Sequence, residues 1–74
     1  MKHYKAPLEE HKFKQLVKNY GFKIVSASKH HKIISLNNGE TLMYFAVYHN
    51  KNGKREVKPV YINLFLRKIQ ELEI

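Results

Sequence analysis

The apolar positions of the chain predict one helix near its start and a second near its end. In both segments apolar residues recur at i, i+3, i+4 and i+7, the spacing that places them on one helical face. These residues are Phe13, Leu16, Val17 and Tyr20 in the first segment and Ile62, Phe65, Leu66 and Ile69 in the second. We expect helices over about residues 8–20 and 60–72. Gly21 should end the first helix because glycine readily adopts the left-handed conformation found there.

Between the two helices the sequence favours antiparallel strands. Residues 22–27 and 32–36 form two short strand-like runs rich in β-branched residues, and residues 41–48 form the longest one. The Asn38–Gly39 step predicts a hairpin between the last two runs, since both residues tolerate a positive φ.

Residues 49–58 leave two interpretations open. The whole segment is one connecting loop, or residues 56–58 form a fourth short strand that pairs across the Asn52–Gly53 turn. In the second case Pro59 would confine the strand to the edge of the sheet, because proline lacks the backbone N–H of a paired strand.

These elements predict a single α+β domain over residues 1–74, with a small antiparallel sheet of three or four strands packed against two helices. A chain of 74 residues supports one thin core, and its 43% hydrophobic content argues against disorder. Residues 1–6 are expected to form a flexible basic arm. The chain contains no cysteine, which excludes disulfides and thiolate sites. Without a continuous apolar run for a signal peptide or a membrane span, we expect a soluble, cytoplasmic protein that does not contact membranes.

The charge of the chain favours an anionic partner. The formal net charge is +8. Residues 1–36 carry eight Lys and two Glu, a charge of +6, whereas residues 37–74 contribute only +2. A basic excess of this kind attracts polyanions and is typical of nucleic-acid binding, although it also serves solubility alone.

Two adjacent histidines are the main candidates for chemistry. His30 and His31 lie between Lys29 and Lys32 at the start of the second predicted strand. Cleavage of RNA needs a group that removes the 2′-OH proton near neutral pH and cations that neutralise the charge developing on the phosphate. Neighbours on a strand point to opposite faces, so the two histidines are alternatives rather than a cooperating pair. The alternative interpretation is that both histidines are only polar residues at the start of a strand and have no catalytic role.

Other functional patterns in the chain are weaker. His30, His31 and His49 lack the spacing of a zinc site, so we expect neither a metal nor a cofactor. Tyr44 and Tyr48 would share one strand face and could stack on bases, but packing beneath a helix is the preferred interpretation.

The segment from the first helix through Ser28-Lys29-His30-His31 and the hairpin to the final helix resembles the HicA-type mRNA interferase toxins. The resemblance covers roughly residues 8–72. It implies a fold like the double-stranded-RNA-binding domain, α-β-β-β-α, with three antiparallel strands against two helices. The family's first motif histidine is catalytic, and by position it falls on His30. The resemblance also implies an acidic HicB-type antitoxin protein as partner.

The sequence therefore predicts the toxin of a toxin–antitoxin system, a metal-independent endoribonuclease that cleaves mRNA with a histidine as acid or base. His30 is the first choice and His31 the second. The expected contacts to RNA phosphates are Lys23, Lys29, Lys32, Lys51, Lys54 and Arg55. The alternative is a non-catalytic module that binds double-stranded RNA or another nucleic acid.

Overall fold

Two helices and six short strands form the part of the chain that the computed structural model describes, residues 3–26 and 30–72. In chain order they are β1 (Leu8–Glu9), α1 (Glu10–Asn19), β2 (Phe22–Ser26), β3 (His31–Ser35), β4 (Thr41–Phe45), β5 (Tyr48–His49), β6 (Arg55–Val57) and α2 (Pro59–Leu72). The predicted α+β class is confirmed. Within the described ranges, neither helix is long and apolar enough to cross a membrane.

The strands form two antiparallel sheets of three strands each, in the orders β2-β3-β4 and β1-β6-β5. The expectation of one sheet is therefore wrong. The predicted fourth strand exists as β6, and it pairs with β5 across the Asn52–Gly53 turn. It is the central strand of the second sheet rather than an edge, because β1 pairs with its other side. Pro59 lies beyond β6, as the first residue of α2. At the first turn of a helix the missing N–H of proline leaves no hydrogen bond unmade.

The predicted long strand over residues 41–48 is divided between the two sheets. β4 ends at Phe45, and Ala46 and Val47 carry the chain to β5 in the second sheet. The side chain of Asn50 stabilises the turn after β5, since its Oδ1 accepts hydrogen bonds from the backbone N–H groups of Asn52 and Lys54. Because β5 pairs with β6 across this turn, Tyr48 and His49 belong to the second sheet and do not extend β4.

The first helix begins two residues later than its apolar spacing predicts. Leu8 and Glu9 pair with Val57 and Glu56 of β6, so this stretch is the short strand β1. The end of the helix agrees with the sequence: Gly21 has φ +84° and donates its N–H to the carbonyl of Lys18 at 3.0 Å.

Aromatic side chains from both helices and the larger sheet form the core. Phe65 of α2 is fully buried and makes edge-to-face contacts with Phe13, Tyr20 and Phe22 at ring-centroid distances of 5.9–6.0 Å. Phe13 also contacts Phe45 of β4 at 5.2 Å. The two predicted apolar helix faces thus meet each other and one face of β2-β3-β4.

The segment before β1 contacts α2. The backbone N–H of Tyr4 donates to Asn63 Oδ1, and Asn63 Nδ2 donates to the Tyr4 carbonyl, both at 2.8 Å. Within the predicted flexible arm over residues 1–6, the backbone of Tyr4 is therefore hydrogen-bonded to the second helix.

Candidate functional site

His31 is the histidine whose ring packs against the hydrophobic core. It is the first residue of β3, and alternation along the strand puts it on the same face as the fully buried Ile33. Its cross-strand partner is Phe45, and the two rings stack with centroids 5.4 Å apart and planes 27° apart. The sheet thereby holds the imidazole at the margin of the core.

Arg55 joins this imidazole to a carboxylate of the first helix. Its Nε and Nη2 donate to the two oxygens of Glu10 at 3.0 and 2.8 Å, and Nη2 lies 3.5 Å from Nε2 of His31. The Glu10 side chain is only 18% exposed, whereas Arg55 is 46% exposed. A two-point ion pair fixes the plane of a guanidinium, so Arg55 is held beside the ring with part of its surface open to solvent.

The two ring nitrogens of His31 have different surroundings. Nδ1 is buried and has no hydrogen-bond partner among the described residues. Nε2 faces Arg55, which is always a donor, so a hydrogen bond here requires Nε2 to be the unprotonated, accepting nitrogen of a neutral ring. An unprotonated Nε2 is the form of imidazole that takes up a proton, and a cation lies directly beside it.

The hydrogen bonds from Arg55 lower the pKa of the Glu10 carboxyl below its usual value. Partial burial opposes this effect, and the charges of Arg55 and Lys14 add to it. The same hydrogen bonds raise the pKa of Arg55. Glu10 is therefore ionised in the folded protein at neutral pH.

We expect Glu10→Gln to lower the free energy of unfolding at neutral pH and to remove part of its dependence on acid pH. A carboxyl whose pKa is depressed by folding stabilises the protein above its unfolded pKa, about 4.3 for Glu, and this contribution is lost as pH falls through the lower folded value. Urea unfolding from pH 7 to pH 3 should show the difference between wild type and variant shrinking below about pH 4.

Glu71→Gln is the matched control for that titration, because Glu71 is exposed on α2 and forms no ion pair with any described residue. It should leave the pH dependence as in the wild type. A Glu10→Gln profile that runs parallel to the wild-type profile down to pH 3 would contradict the role of Glu10.

His30, the first choice from the sequence, lies outside this cluster. It is exposed, it precedes β3, and no hydrogen bond or ion pair joins it to another described residue. Lys29, which was expected to hold phosphate beside it, lies outside the described residues. The structure therefore shows no cation positioned against His30 within residues 3–26 and 30–72.

The predicted phosphate contacts are spread over two surfaces. Lys23 and Lys32 point to the face of β2-β3-β4 that the helices leave open, opposite to the face of His31. Lys51 and Lys54 are exposed in the turn between β5 and β6. Of the six predicted contacts, Arg55 is the one that the described structure brings to a histidine.

The two tyrosines do not share a strand face as predicted. Tyr44 of β4 is 59% exposed on the open face, directly opposite Lys32, so packing beneath a helix is wrong for it. Tyr48 belongs to β5, and its hydroxyl donates to Glu56 Oε1 at 3.1 Å. Burial, this hydrogen bond and the charge of Glu56 together raise the pKa of Tyr48.

Glu10 is the member of the cluster that sequence reasoning missed. Its position in the first helical turn is that of an acidic residue near the positive helix end, and Lys14 follows at i+4. Nothing local points to Arg55, which lies 45 residues further along the chain. In the described parts of the chain, no three histidine or carboxylate side chains converge as a metal site would require.

Comparison with models of known protein families, with curated protein sequences and with solved structures gives no significant match to this chain.

Proposed function

We propose that this protein is an endoribonuclease of the toxin–antitoxin kind, which cleaves mRNA with a histidine and without a metal ion. The observation that carries the proposal is the placement of His31 Nε2 3.5 Å from Arg55, a cation whose plane is fixed by Glu10. The net charge of +8 supports a polyanionic substrate. The resemblance to HicA-type toxins supports the class, the cytoplasmic location and an acidic HicB-type antitoxin as partner.

The chemistry would proceed through the 2′-hydroxyl of the RNA. Nε2 of His31 removes the 2′-OH proton, and the 2′-oxygen attacks the adjacent phosphorus. The bond to the 5′-oxygen breaks, and that oxygen takes up a proton from water, leaving a 2′,3′-cyclic phosphate. Arg55 stabilises the additional negative charge on the phosphate oxygens. Histidine as the acid or base thus agrees with the prediction, but the arrangement favours the second choice, His31, over His30.

A cleavage assay with a labelled transcript in EDTA tests this proposal. We expect the wild type to cut the transcript and the double variant His30→Ala/His31→Ala to leave it intact. His3→Ala is the control, because His3 is an exposed histidine that precedes β1. The proposal fails if the wild type cuts none of a panel of structured and unstructured transcripts, or if the double variant cuts them at the wild-type rate.

The alternative is a module that binds nucleic acid without cleaving it. The open face of β2-β3-β4 favours it, because the exposed ring of Tyr44 on β4 lies directly opposite Lys32 on β3, and Lys23 on β2 points to the same face. An exposed aromatic ring on a face that also carries cations suits stacking on a base with phosphate contacts nearby. This function predicts RNA affinity that falls steeply with salt while the RNA stays uncut.

A further inference from the structure

A groove beside β2 is separate from the His31 cluster. It encloses about 350 Å³, within the range of ligand-sized cavities. Its walls combine three lysines with three apolar residues and contain no carboxylate: Lys14, Lys18, Lys23, Phe22, Ile24 and Leu36. The lysines come from α1 and β2, so the groove lies where the first helix meets the strand that follows it.

The groove runs along the free edge of β2. Phe22, Lys23 and Ile24 are consecutive, so their side chains alternate between the two faces of the sheet, yet all three line the groove. A cavity reaches both faces of a strand only at its edge. Within the described residues β2 pairs with β3 alone, so this edge is open.

The backbone register shows which groups face the groove. The N–H of Leu36 donates to the carbonyl of Gly21 at 3.1 Å, which makes this a hydrogen-bonded pair at the start of the β2–β3 ladder. Hydrogen-bonded and non-hydrogen-bonded pairs alternate along an antiparallel ladder, so the next hydrogen-bonded pair is Lys23 with Ile34. The backbone N–H and C=O groups of Lys23 therefore point toward β3. Phe22 and Ile24 then direct their N–H and C=O groups outward, where another strand can pair with them.

The side chains of the groove suit a protein segment better than RNA. Leu36 is 55% exposed and aliphatic, while Phe22 is only 9% exposed and presents no open ring for a base to stack on. An apolar side chain of a partner can cover Leu36 and Ile24. The ammonium groups of Lys14, Lys18 and Lys23 around this floor are complementary to carboxylates on either side of such a residue.

We propose that this groove binds an extended, acidic segment of a partner protein, which adds a strand to the edge of β2. The backbone of the segment pairs with Phe22 and Ile24, one apolar side chain covers Leu36, and its carboxylates contact the three lysines. Strand addition supplies the hydrogen bonds, and the lysines select an acidic sequence. This inference depends on the groove and the open edge, and it stands whether or not the protein cleaves RNA.

The experiment uses the full chain and a capped eight-residue peptide of alternating glutamate and valine. Backbone amide NMR should show saturable shifts centred on Phe22 and Ile24, with slower hydrogen exchange at these two amides when the peptide is bound. Lys18→Glu and Lys23→Glu should each weaken the peptide roughly fivefold to tenfold at low salt, the scale expected for reversing one exposed contact. Lys12→Glu makes the same charge change on α1 outside the groove and should change the affinity less than twofold.

Two further peptides separate strand addition from charge attraction. A peptide with N-methyl groups on the amides that pair with β2 should bind at least tenfold more weakly than the parent peptide. A peptide with N-methyl groups on the amides of its other edge should bind with the parent affinity. A glutamine-for-glutamate peptide should bind at least tenfold more weakly.

The proposal is overturned if both N-methylated peptides bind like the parent peptide, or if Lys12→Glu weakens binding as much as Lys18→Glu. It is also overturned if an eight-nucleotide RNA, and not the acidic peptide, produces the shifts at the groove.

Discussion

Replacing His31 with phenylalanine is expected to lower the rate of RNA cleavage by about 10²- to 10⁴-fold, the usual contribution of a positioned acid or base. Phenylalanine retains the stacking on Phe45 but has no nitrogen to accept a proton, so the variant should stay folded. The single-turnover rate on a labelled transcript measures the loss, and circular dichroism checks the fold.

Two further variants test the assignment of the histidine. His30→Ala should change the rate less than threefold, because no described residue orients this exposed ring. Arg55→Lys keeps the positive charge but loses the two-point contact with Glu10, and we expect a loss of about tenfold. Wild-type cleavage by His31→Phe together with an inactive His30→Ala would return the catalytic role to His30, as the sequence predicts.

Replacing Phe65 with alanine is expected to destabilise the protein by about 3–5 kcal/mol. Phe65 is fully buried and contacts aromatic rings from α1, β2 and the turn between them, so its removal leaves a cavity at the centre of the core. A domain of this size has a total stability of roughly 4–11 kcal/mol, so much of it would be lost. Urea unfolding followed by circular dichroism measures the change.

Val60→Ala is the matched control on the same helix, since Val60 is 64% exposed and its truncation should change stability by no more than about 0.5 kcal/mol. Phe65→Leu should fall between the two, because leucine fills most of the space without the edge-to-face contacts. A Phe65→Ala protein within about 1 kcal/mol of the wild type would refute the central role of this ring.

Much of the fold could be predicted because its signals are local. Apolar spacing identified the buried residues Phe13, Val17 and Phe65, and all three lie in the core. The Asn38–Gly39 step predicted the first hairpin turn, and the Asn52–Gly53 step left a second hairpin as one of two interpretations. Gly39 and Gly53 both have positive φ. Helical period, strand alternation and turn chemistry act between residues a few positions apart, so they can be read without knowing the fold.

The division into two sheets could not be predicted in this way. Residues 41–48 read as one strand, and nothing in their sequence marks the transfer after Phe45. The division depends on β6, which pairs with β5 on one side and with Leu8–Glu9 on the other. Pairing between segments so far apart in sequence is decided by packing, which alternation alone does not encode.

The contacts of the candidate site likewise could not be predicted from local sequence patterns. Alternation separated His30 from His31, but the cations that the sequence associated with them were Lys29 and Lys32. Lys32 points to the opposite face, and Lys29 lies outside the described residues. The cation beside His31 is Arg55, 24 residues away in sequence, and the carboxylate that holds it is 45 residues from Arg55.

The sequence by itself determined the two helices, the hairpin at Asn38–Gly39, the basic charge and a histidine at the start of β3, because each depends on composition or on near neighbours. Only the tertiary structure decided which histidine meets a fixed cation and which strand edge stays open beside three lysines. Those features arise where α1, β2, β3 and β6 pack together, and contacts between distant segments are fixed by the whole core.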